Sequence, residues 1–224
     1  MISTFYSWLK GVPKHSILLL GIILFVFVFP LFEKGELKEY LVTLSYTLML
    51  LSVGSIIELK SKLLLYLIVF AVIFQWVTFF IDHHRFYYRI YISFTFSLFV
   101  FIIAIYKMIT QIISSKEVDA RLIIETIIGY LLIGVIFTLI NVLLESYNHQ
   151  AIGFINESPT LGDIIYYSFI TFTTIGYGDI SPISQAARGF AILFGLGGQL
   201  YITIIIAFII GKYLNSKNLK NQKK

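Results

Sequence analysis

Long uncharged apolar stretches dominate the pattern of hydrophobic and polar positions along this chain. Six of these stretches, each 17 to 23 residues long, are bounded on both sides by charged residues. A helix needs about 17–25 apolar residues to cross the hydrocarbon core of a bilayer. The pattern therefore predicts six membrane-spanning helices, at residues 15–32, 40–57, 63–81, 90–106, 126–144 and 189–211.

A seventh uncharged stretch, residues 164–178, departs from this pattern. It is only 15 residues long and contains Ser168, Thr171, Thr173 and Thr174, so it is too short and too polar to span. Backbone that leaves the helical form at membrane depth is tolerated only where protein or water covers it. The stretch therefore predicts a re-entrant loop, in which a half-helix enters the membrane and an extended segment returns.

Composition and charge support a membrane protein and exclude several other classes. Hydrophobic residues make up 58% of the 224 and charged residues 13%, against about 25% charged residues in a typical soluble domain. The absence of cysteine excludes disulfides and thiolate metal sites. With both termini inside, most of the 17 Lys and Arg residues fall on the cytoplasmic side, as the positive-inside rule requires. The basic tail, residues 215–224, is then a solvated tail and implies no nucleic acid.

The polar stretch carries the segment Thr174-Ile175-Gly176-Tyr177-Gly178-Asp179, which we call the filter segment. It resembles the signature selectivity filter of the tetrameric potassium-channel superfamily. In such a filter, backbone carbonyls replace the hydration shell of the ion. Successive carbonyls point to one side only if right- and left-handed backbone angles alternate, and glycine adopts positive φ at little steric cost. This requirement accounts for Gly176 and Gly178.

The resemblance implies a role for each residue of the filter segment. The carbonyls of Thr174, Ile175, Gly176 and Tyr177 are expected to form stacked ion sites, and Gly178 is expected to belong to the same ion-binding filter. The Thr174 hydroxyl is expected to add the innermost ligands. Asp179 is expected at the outer mouth, where it attracts cations. One filter segment per chain implies a homotetramer, with K⁺ as the permeant ion, no cofactor and no structural metal.

The residues before the filter segment fit a pore helix. Ser158 is the predicted N-cap, with Pro159 at the first helical position. Tyr166, Tyr167 and Thr171 are expected to support the filter, although a contact with the lipid interface remains an alternative for one of the two tyrosines. The C-terminal end of this helix would favour a cation through its partial negative charge.

The sequence departs from part of the superfamily at one position behind the filter. Some members carry a buried glutamate there that partners the aspartate of the mouth, and this chain has Ile170. Asp179 therefore needs another partner, for which the Tyr166 hydroxyl is the candidate.

The last apolar stretch resembles the inner helix of the same channels. Gly198 lies where many of them carry a gating-hinge glycine, and close helix packing is the alternative role. Ile202, Ile206 and Ile210 recur at four-residue spacing and could form a hydrophobic constriction that gates by dewetting. Plain contact with lipid or another helix is an equal alternative for these three residues.

The first four helices occupy the position of a voltage sensor but lack its charges. Arg85 and Arg89 lie at the outer edge of the fourth stretch, and no further charge follows until Lys107. Steep voltage gating needs several charges per subunit, so we predict weak or absent voltage dependence. Whether His83 and His84 sense protons or a metal ion is left open.

The sequence predicts an all-α membrane protein with six transmembrane helices plus a re-entrant pore helix and selectivity-filter loop. The predicted divisions are an N-terminal four-helix domain, a pore domain and a basic cytoplasmic tail, at residues 1–118, 119–214 and 215–224. The predicted function is a homotetrameric, potassium-selective channel of the cell membrane, in contact with lipid and with no identified protein partner. No catalytic constellation or phosphate loop occurs, so no enzyme is predicted. The alternatives are a non-selective cation channel and a non-conducting membrane sensor or subunit.

Overall fold

The computed structural model describes residues 14–31, 36–56, 62–80, 88–115, 120–155 and 159–222. Within these ranges most of the chain is helical, as the long apolar stretches predict. In chain order the helices are α1 (Lys14–Ile23), α2 (Glu36–Ile56), α3 (Lys62–Phe80), α4 (Tyr88–Ser114), α5 (Ala120–Tyr147), α6 (Leu161–Phe172) and α7 (Gln185–Gln222). Two short strands, β1 (Ile152–Gly153) and β2 (Ser181–Pro182), flank α6.

The predicted membrane character is confirmed for three of the helical segments by length and apolarity. These are Ile92–Ser114, Leu122–Tyr147 and Gln185–Lys212. Shorter apolar helices in the described part of the chain are Ser16–Leu31, Tyr40–Val53, Leu65–Val77 and Leu161–Phe172. The fold is thus an all-α membrane fold, and the total of six spans stays a prediction.

The first apolar stretch is helical but not uniformly α-helical. After α1 the chain forms a π-helical turn at Leu24–Val28 and a 3₁₀ turn at Phe29–Leu31. Pro30 lies in the second turn, and proline removes a backbone N–H and clashes with the carbonyl four residues before it. A regular α-helical ladder therefore cannot continue through Pro30, which an apolar count alone does not reveal.

The structure separates into two compact units, Met1–Ala104 and Ile105–Lys224. The first unit is organised around Tyr46 of α2, which is 2% exposed. Its ring packs at 5.9 Å from that of Phe25, at 5.8 Å from that of Phe94 and at 5.9 Å from that of Phe101. The predicted domain boundaries at 118 and 214 remain predictions.

Helices α2 and α3 of the first unit are also joined by polar side chains. Gln75 Nε2 donates to the backbone carbonyl of Thr43 at 2.9 Å, and Trp76 Nε1 donates to Thr47 Oγ1 at 3.1 Å. Both bonds link helices, as polar groups in an apolar environment require partners.

The second unit packs α6 and α7 against the middle of α5. Phe137 of α5 is fully buried, and its ring stacks on Phe194 of α7 with centroids 4.5 Å apart. Gly134 of α5 faces Phe169 of α6 so closely that a Cβ atom there would lie 2.7 Å from the phenylalanine ring. The small residue thus lets α6 approach α5.

The two strands tie the chain segments on either side of α6. Ile152 pairs with Pro182 and Gly153 with Ser181 in antiparallel register. The carbonyl of Ala151 accepts a further bond from Ile183 N at 2.9 Å. This pairing holds the start of α7 next to the end of α5. It therefore fixes both ends of the segment between them, which contains α6.

Candidate functional site

Helix α6 begins at a capping box that differs from the predicted start. Thr160 is the N-cap, its Oγ1 accepts a bond from Asp163 N, and Asp163 Oδ2 accepts one from Thr160 N at 2.7 Å. The prediction of Pro159 at the first helical position is wrong, and the predicted cap Ser158 lies outside the described residues. The reason is chemical: Thr160 has a carboxylate three residues on, which closes the reciprocal pair, whereas Ser158 has Leu161 there.

A buried polar pair fixes α6 against α5. Asn141 and Ser168 are both fully buried. Asn141 Nδ2 donates to Ser168 Oγ at 2.8 Å, and Ser168 Oγ donates to the Ile164 carbonyl at 2.6 Å. A buried hydroxyl without a partner is costly, so this chain of bonds favours one rotational setting of α6. Sequence reasoning noted Ser168 only as a polar residue and missed Asn141.

Backbone hydrogen bonds tie the start of the filter segment to the last turn of α6. The Ile170 carbonyl accepts bonds from Ile175 N at 3.0 Å and from Gly176 N at 3.1 Å, and the Thr171 carbonyl accepts one from Thr174 N at 3.1 Å. Helix ends leave several carbonyls without helical partners. Here the returning loop supplies those partners, so the filter segment is anchored at its N-terminal end by its own helix.

The filter segment has alternating backbone handedness. Thr174, Gly176 and Gly178 have φ of +62°, +54° and +82°, and no other positive φ occurs in the described part of the chain. The residues between them have negative φ, so every second residue of the segment is left-handed. The sequence predicted this alternation at the two glycines. It did not predict it at Thr174, because a β-branched residue is unfavourable in the left-handed region.

The glycines of the filter segment are required by backbone angle rather than by space. A Cβ atom at Gly176 or Gly178 would meet no other atom within 4 Å. An L-residue still pays about 1–2 kcal/mol in the left-handed region because its Cβ crowds the following carbonyl. Thr174 carries a similar strain, which persists only where the surrounding bonds over-determine the conformation.

The side chains of the filter segment are uncovered by the rest of their own chain. Ile175 is 55% exposed and Tyr177 is 73% exposed, although both are large and hydrophobic. Tyr167, in contrast, is buried behind the segment in a cluster with Ala151, Ile152 and Ala187. The two neighbouring tyrosines of α6 are therefore differently placed: Tyr167 packs in the core, and Tyr166 faces Asp179 at the end of the loop.

Asp179 is bound by the side chain that the sequence offered as its candidate partner. Tyr166 Oη donates to Asp179 Oδ2 at 2.7 Å. This bond lowers the pKa of the Asp179 carboxyl below its ordinary value and raises the pKa of the Tyr166 hydroxyl, because it favours the charged aspartate beside a protonated tyrosine. A negative charge is thus held at the C-terminal end of the filter segment.

Gly198 of α7 lies where the helix crosses the end of α6. A Cβ atom at this position would lie 2.6 Å from the carbonyl oxygen of Phe172 and 2.7 Å from its ring. Helix α7 runs without a break through Gly198, from Gln185 to Gln222. These facts show the packing role directly, whereas the hinge role stays a prediction.

The three isoleucines of the predicted constriction follow on α7. Ile202, Ile206 and Ile210 are 38%, 51% and 53% exposed, so none of them is covered by its own chain. By contrast, Tyr201 and Ile205 lie on the covered side of the helix, and Tyr201 Oη donates to the Thr126 carbonyl of α5 at 3.0 Å. The isoleucines are thus available to another chain, a pore or lipid, and their gating role stays a prediction.

Other predicted features have no described geometry or form no cluster. His83, His84 and Arg85 lie outside the described residues. Among the residues that the structure does describe, no group of three or more His, Asp or Glu side chains could hold a metal ion.

Comparison with known proteins finds similarity to ion channels. Residues 125–215 match the family model described as "Ion channel", and this range contains β1, α6, the filter segment and most of α7. Two-pore potassium channel 5 of Arabidopsis thaliana is 28% identical over 81 residues, which cover 36% of this chain and 20% of the relative. Two pore potassium channel c of Oryza sativa subsp. japonica is 36% identical over 62 residues, which cover 27% of this chain and 14% of the relative.

The matches support the potassium-channel superfamily that the filter segment predicts, so the predicted resemblance is confirmed. The matched family and relatives are ion channels and not enzymes. The chain spans only about a fifth or less of the length of the curated relatives that it matches. No solved structure gives a significant match.

Proposed function

We propose that this protein is a potassium-selective channel formed by four copies of the chain. The observation that carries the proposal is the alternation of positive φ at Thr174, Gly176 and Gly178. Alternating handedness turns successive carbonyls toward one side, where a ring of them can replace the water shell of a potassium ion. The names of the matched relatives support K⁺ as the permeant ion.

The exposure of the filter segment supports the homotetramer. Ile175 and Tyr177 are more than half exposed, and a carbonyl lining from one chain cannot surround an ion. Four copies around a common axis close the ring, and neighbouring copies cover these side chains. The exposed apolar side of α7, with Ile206 and Ile210, then faces other subunits or the central path.

The charge distribution supports a cell-membrane protein with both termini in the cytoplasm. Asp179 then lies at the extracellular mouth, where its carboxylate attracts cations. The hydrogen bond from Tyr166 favours the charged form of this carboxylate. Lys107 and Lys212 lie on the cytoplasmic side, consistent with the positive-inside rule. The sequence supports weak or absent voltage dependence, because the fourth apolar stretch has no charged residue between Arg89 and Lys107.

The proposal is tested by ion flux into liposomes that contain the purified protein. We expect K⁺ to exchange rapidly and Na⁺ slowly, and the protein to run as a tetramer after crosslinking in detergent. Equal K⁺ and Na⁺ rates would favour a non-selective cation channel. An intact tetramer without flux of either ion would favour a non-conducting membrane subunit, and a monomer that conducts K⁺ would contradict the shared filter.

A further inference from the structure

The side chain of Lys212, on α7, ends in a cage of oxygen atoms that belong to the end of α4. Lys212 Nζ donates to the carbonyls of Ile112 at 3.1 Å and Ile113 at 3.0 Å, and to Ser115 Oγ at 2.9 Å. The Ser115 carbonyl is a fourth acceptor beside the same nitrogen, and the four oxygens share its three N–H groups. The ring of Phe208, one turn earlier on α7, lies 4.2 Å from the same nitrogen.

The Ile112 and Ile113 carbonyls belong to the last turn of α4, and Ser115 directly follows that helix. The Ile112 carbonyl also accepts a bond from Ser115 Oγ at 2.9 Å. The last carbonyls of an α-helix have no amide to accept from, and they carry the partial negative charge of the helix dipole. A lysine near the end of its own helix commonly satisfies such carbonyls. Here the ammonium comes from a residue 97 positions after Ser115, so α7 supplies the cap of α4.

Apolar contacts accompany the cage. Ile112 of α4, Leu122 of α5 and Ile205 of α7 form one buried cluster. Phe208 and Ile209 of α7 pack against it. The end of α4 thus packs against α7 through hydrophobic side chains, and Lys212 adds hydrogen bonds at the edge of this contact.

The arrangement differs from the usual placement of a lysine at the end of a membrane helix. Such side chains extend along apolar surface and leave the ammonium in water. The Lys212 ammonium instead forms hydrogen bonds with the α4 backbone. Lys212 lies two residues after Ile210 on α7. The bonds therefore act close to the residue at which the constriction of the inner helix is predicted.

We propose that Lys212 is a positioning residue that ties the cytoplasmic end of α4 to the inner helix, so that a displacement of α4 changes the open–closed equilibrium of the pore. The inference rests on the proposed channel function. Because the bonds link two helices at one point, a state in which α4 moves relative to α7 must break them. Their strength then enters the difference in free energy between the two states.

The test compares Lys212→Met, which keeps the apolar stem and removes the charge, with Lys212→Arg, which keeps the charge. Lys107→Met is the matched control, because Lys107 is an exposed lysine of α4 in the same part of the chain. In single-channel recordings we expect Lys212→Met to change the ratio of open to closed time by about fivefold or more, the lower end for coupled sites. Unitary conductance and the K⁺/Na⁺ permeability ratio should not change. Lys212→Arg should restore the wild-type ratio, and Lys107→Met should leave it unaltered.

A second measurement separates the tie from the channel function. The chain has no cysteine, so spin labels can be attached at Ile113 and Leu214, which are 56% and 54% exposed. Labelled chains are diluted with unlabelled ones to isolate the distance within one chain. We expect Lys212→Met to broaden this distance distribution and Lys107→Met to leave it narrow, whether or not the protein conducts.

The outcomes distinguish the two proposals. An unchanged distance distribution in Lys212→Met would overturn the tie. A broadened distribution with unchanged open and closed times would overturn its role in gating. Absence of K⁺ conduction by the wild type, with a broadened distribution in Lys212→Met, would overturn the channel function and leave the structural tie in place. An equal gating effect in Lys107→Met would show a general effect of charge and contradict the proposal.

Discussion

The two compact units achieve order by different means. In Met1–Ala104, Tyr46 stands in a cluster of aromatic rings, and side chains such as Trp76 link neighbouring helices. In Ile105–Lys224 the distinctive feature is the backbone itself, with left-handed angles at alternate residues of the filter segment and helix crossings too close for a Cβ atom. Both units also have the other feature, since a Cβ at Gly21 of the first unit would lie 2.9 Å from Met49 Cγ and Phe137 stacks on Phe194 in the second. Left-handed backbone, however, occurs among the described residues in the second unit alone.

The comparison shows where each unit should be sensitive to substitution. A packed cluster loses stability when a large side chain is shortened, in proportion to the cavity left behind. A close helix crossing or a left-handed residue is damaged by a single added methyl group. We therefore test a large-to-small change at the aromatic cluster of the first unit and a glycine-to-alanine change at a helix crossing of the second.

The largest effect on stability is expected for Tyr46→Ala in the first unit. The substitution empties the centre of the aromatic cluster and should lower the free energy of unfolding by about 3–5 kcal/mol, as for other buried aromatic residues. Tyr66→Ala is the matched control because Tyr66 is 66% exposed, and we expect it to change stability by less than about 0.5 kcal/mol. Thermal unfolding in detergent measures both. Equal losses in the two variants would contradict the central role of Tyr46.

A smaller loss of stability is expected for Gly198→Ala in the second unit. The added methyl would press on the Phe172 carbonyl, and overpacking of this kind costs about 1–3 kcal/mol. Gly197→Ala is the neighbouring control, because a Cβ there would meet nothing within 4 Å. Alanine is also the better helix former. If Gly198→Ala unfolds at the wild-type temperature, the crossing with α6 is looser than described.

The smallest effect is expected at the outer mouth, where Tyr166→Phe removes the hydroxyl bound to Asp179. The bond lowers the pKa of Asp179, so in the wild type it persists as pH falls through the ordinary aspartate range and is lost only at lower pH. Without the bond, the pKa of Asp179 should rise toward its ordinary value. We expect the acid midpoint of K⁺ flux, followed from neutral pH to about pH 3, to move upward. An unchanged or lower midpoint would show that this bond does not control Asp179.

Much of the fold could be predicted from apolar length, because a helix that crosses a membrane must be apolar over a known distance. In the described part of the chain, each of the six long apolar stretches is helical. The local changes of helix type before Pro30 could not be predicted in this way, since hydropathy does not report hydrogen-bond register. Nor did hydropathy predict that α7 continues to Gln222, because its last residues are polar but compatible with a helix.

The candidate site also contains residues that the sequence could predict and residues that it could not. Gly176 and Gly178 were predictable because glycine is the residue that left-handed backbone tolerates. Thr174 was not, since its left-handed angle is held by surrounding bonds and runs against its own preference. The contacts of Asn141 and Lys212 join residues far apart in sequence, and a single sequence contains no signal for such pairs.

The central claim is that left-handed backbone at Gly176 forms the ion-selective lining. The most direct test is the K⁺/Na⁺ permeability ratio of Gly176→Ala, with Gly189→Ala as control, because a Cβ meets nothing within 4 Å at either position and only Gly176 has positive φ. A strain of about 1–2 kcal/mol in each of four subunits predicts a fall of about tenfold or more in the ratio for Gly176→Ala. Gly189→Ala should keep the wild-type ratio. A wild-type ratio in Gly176→Ala, with the tetramer intact, would contradict the account.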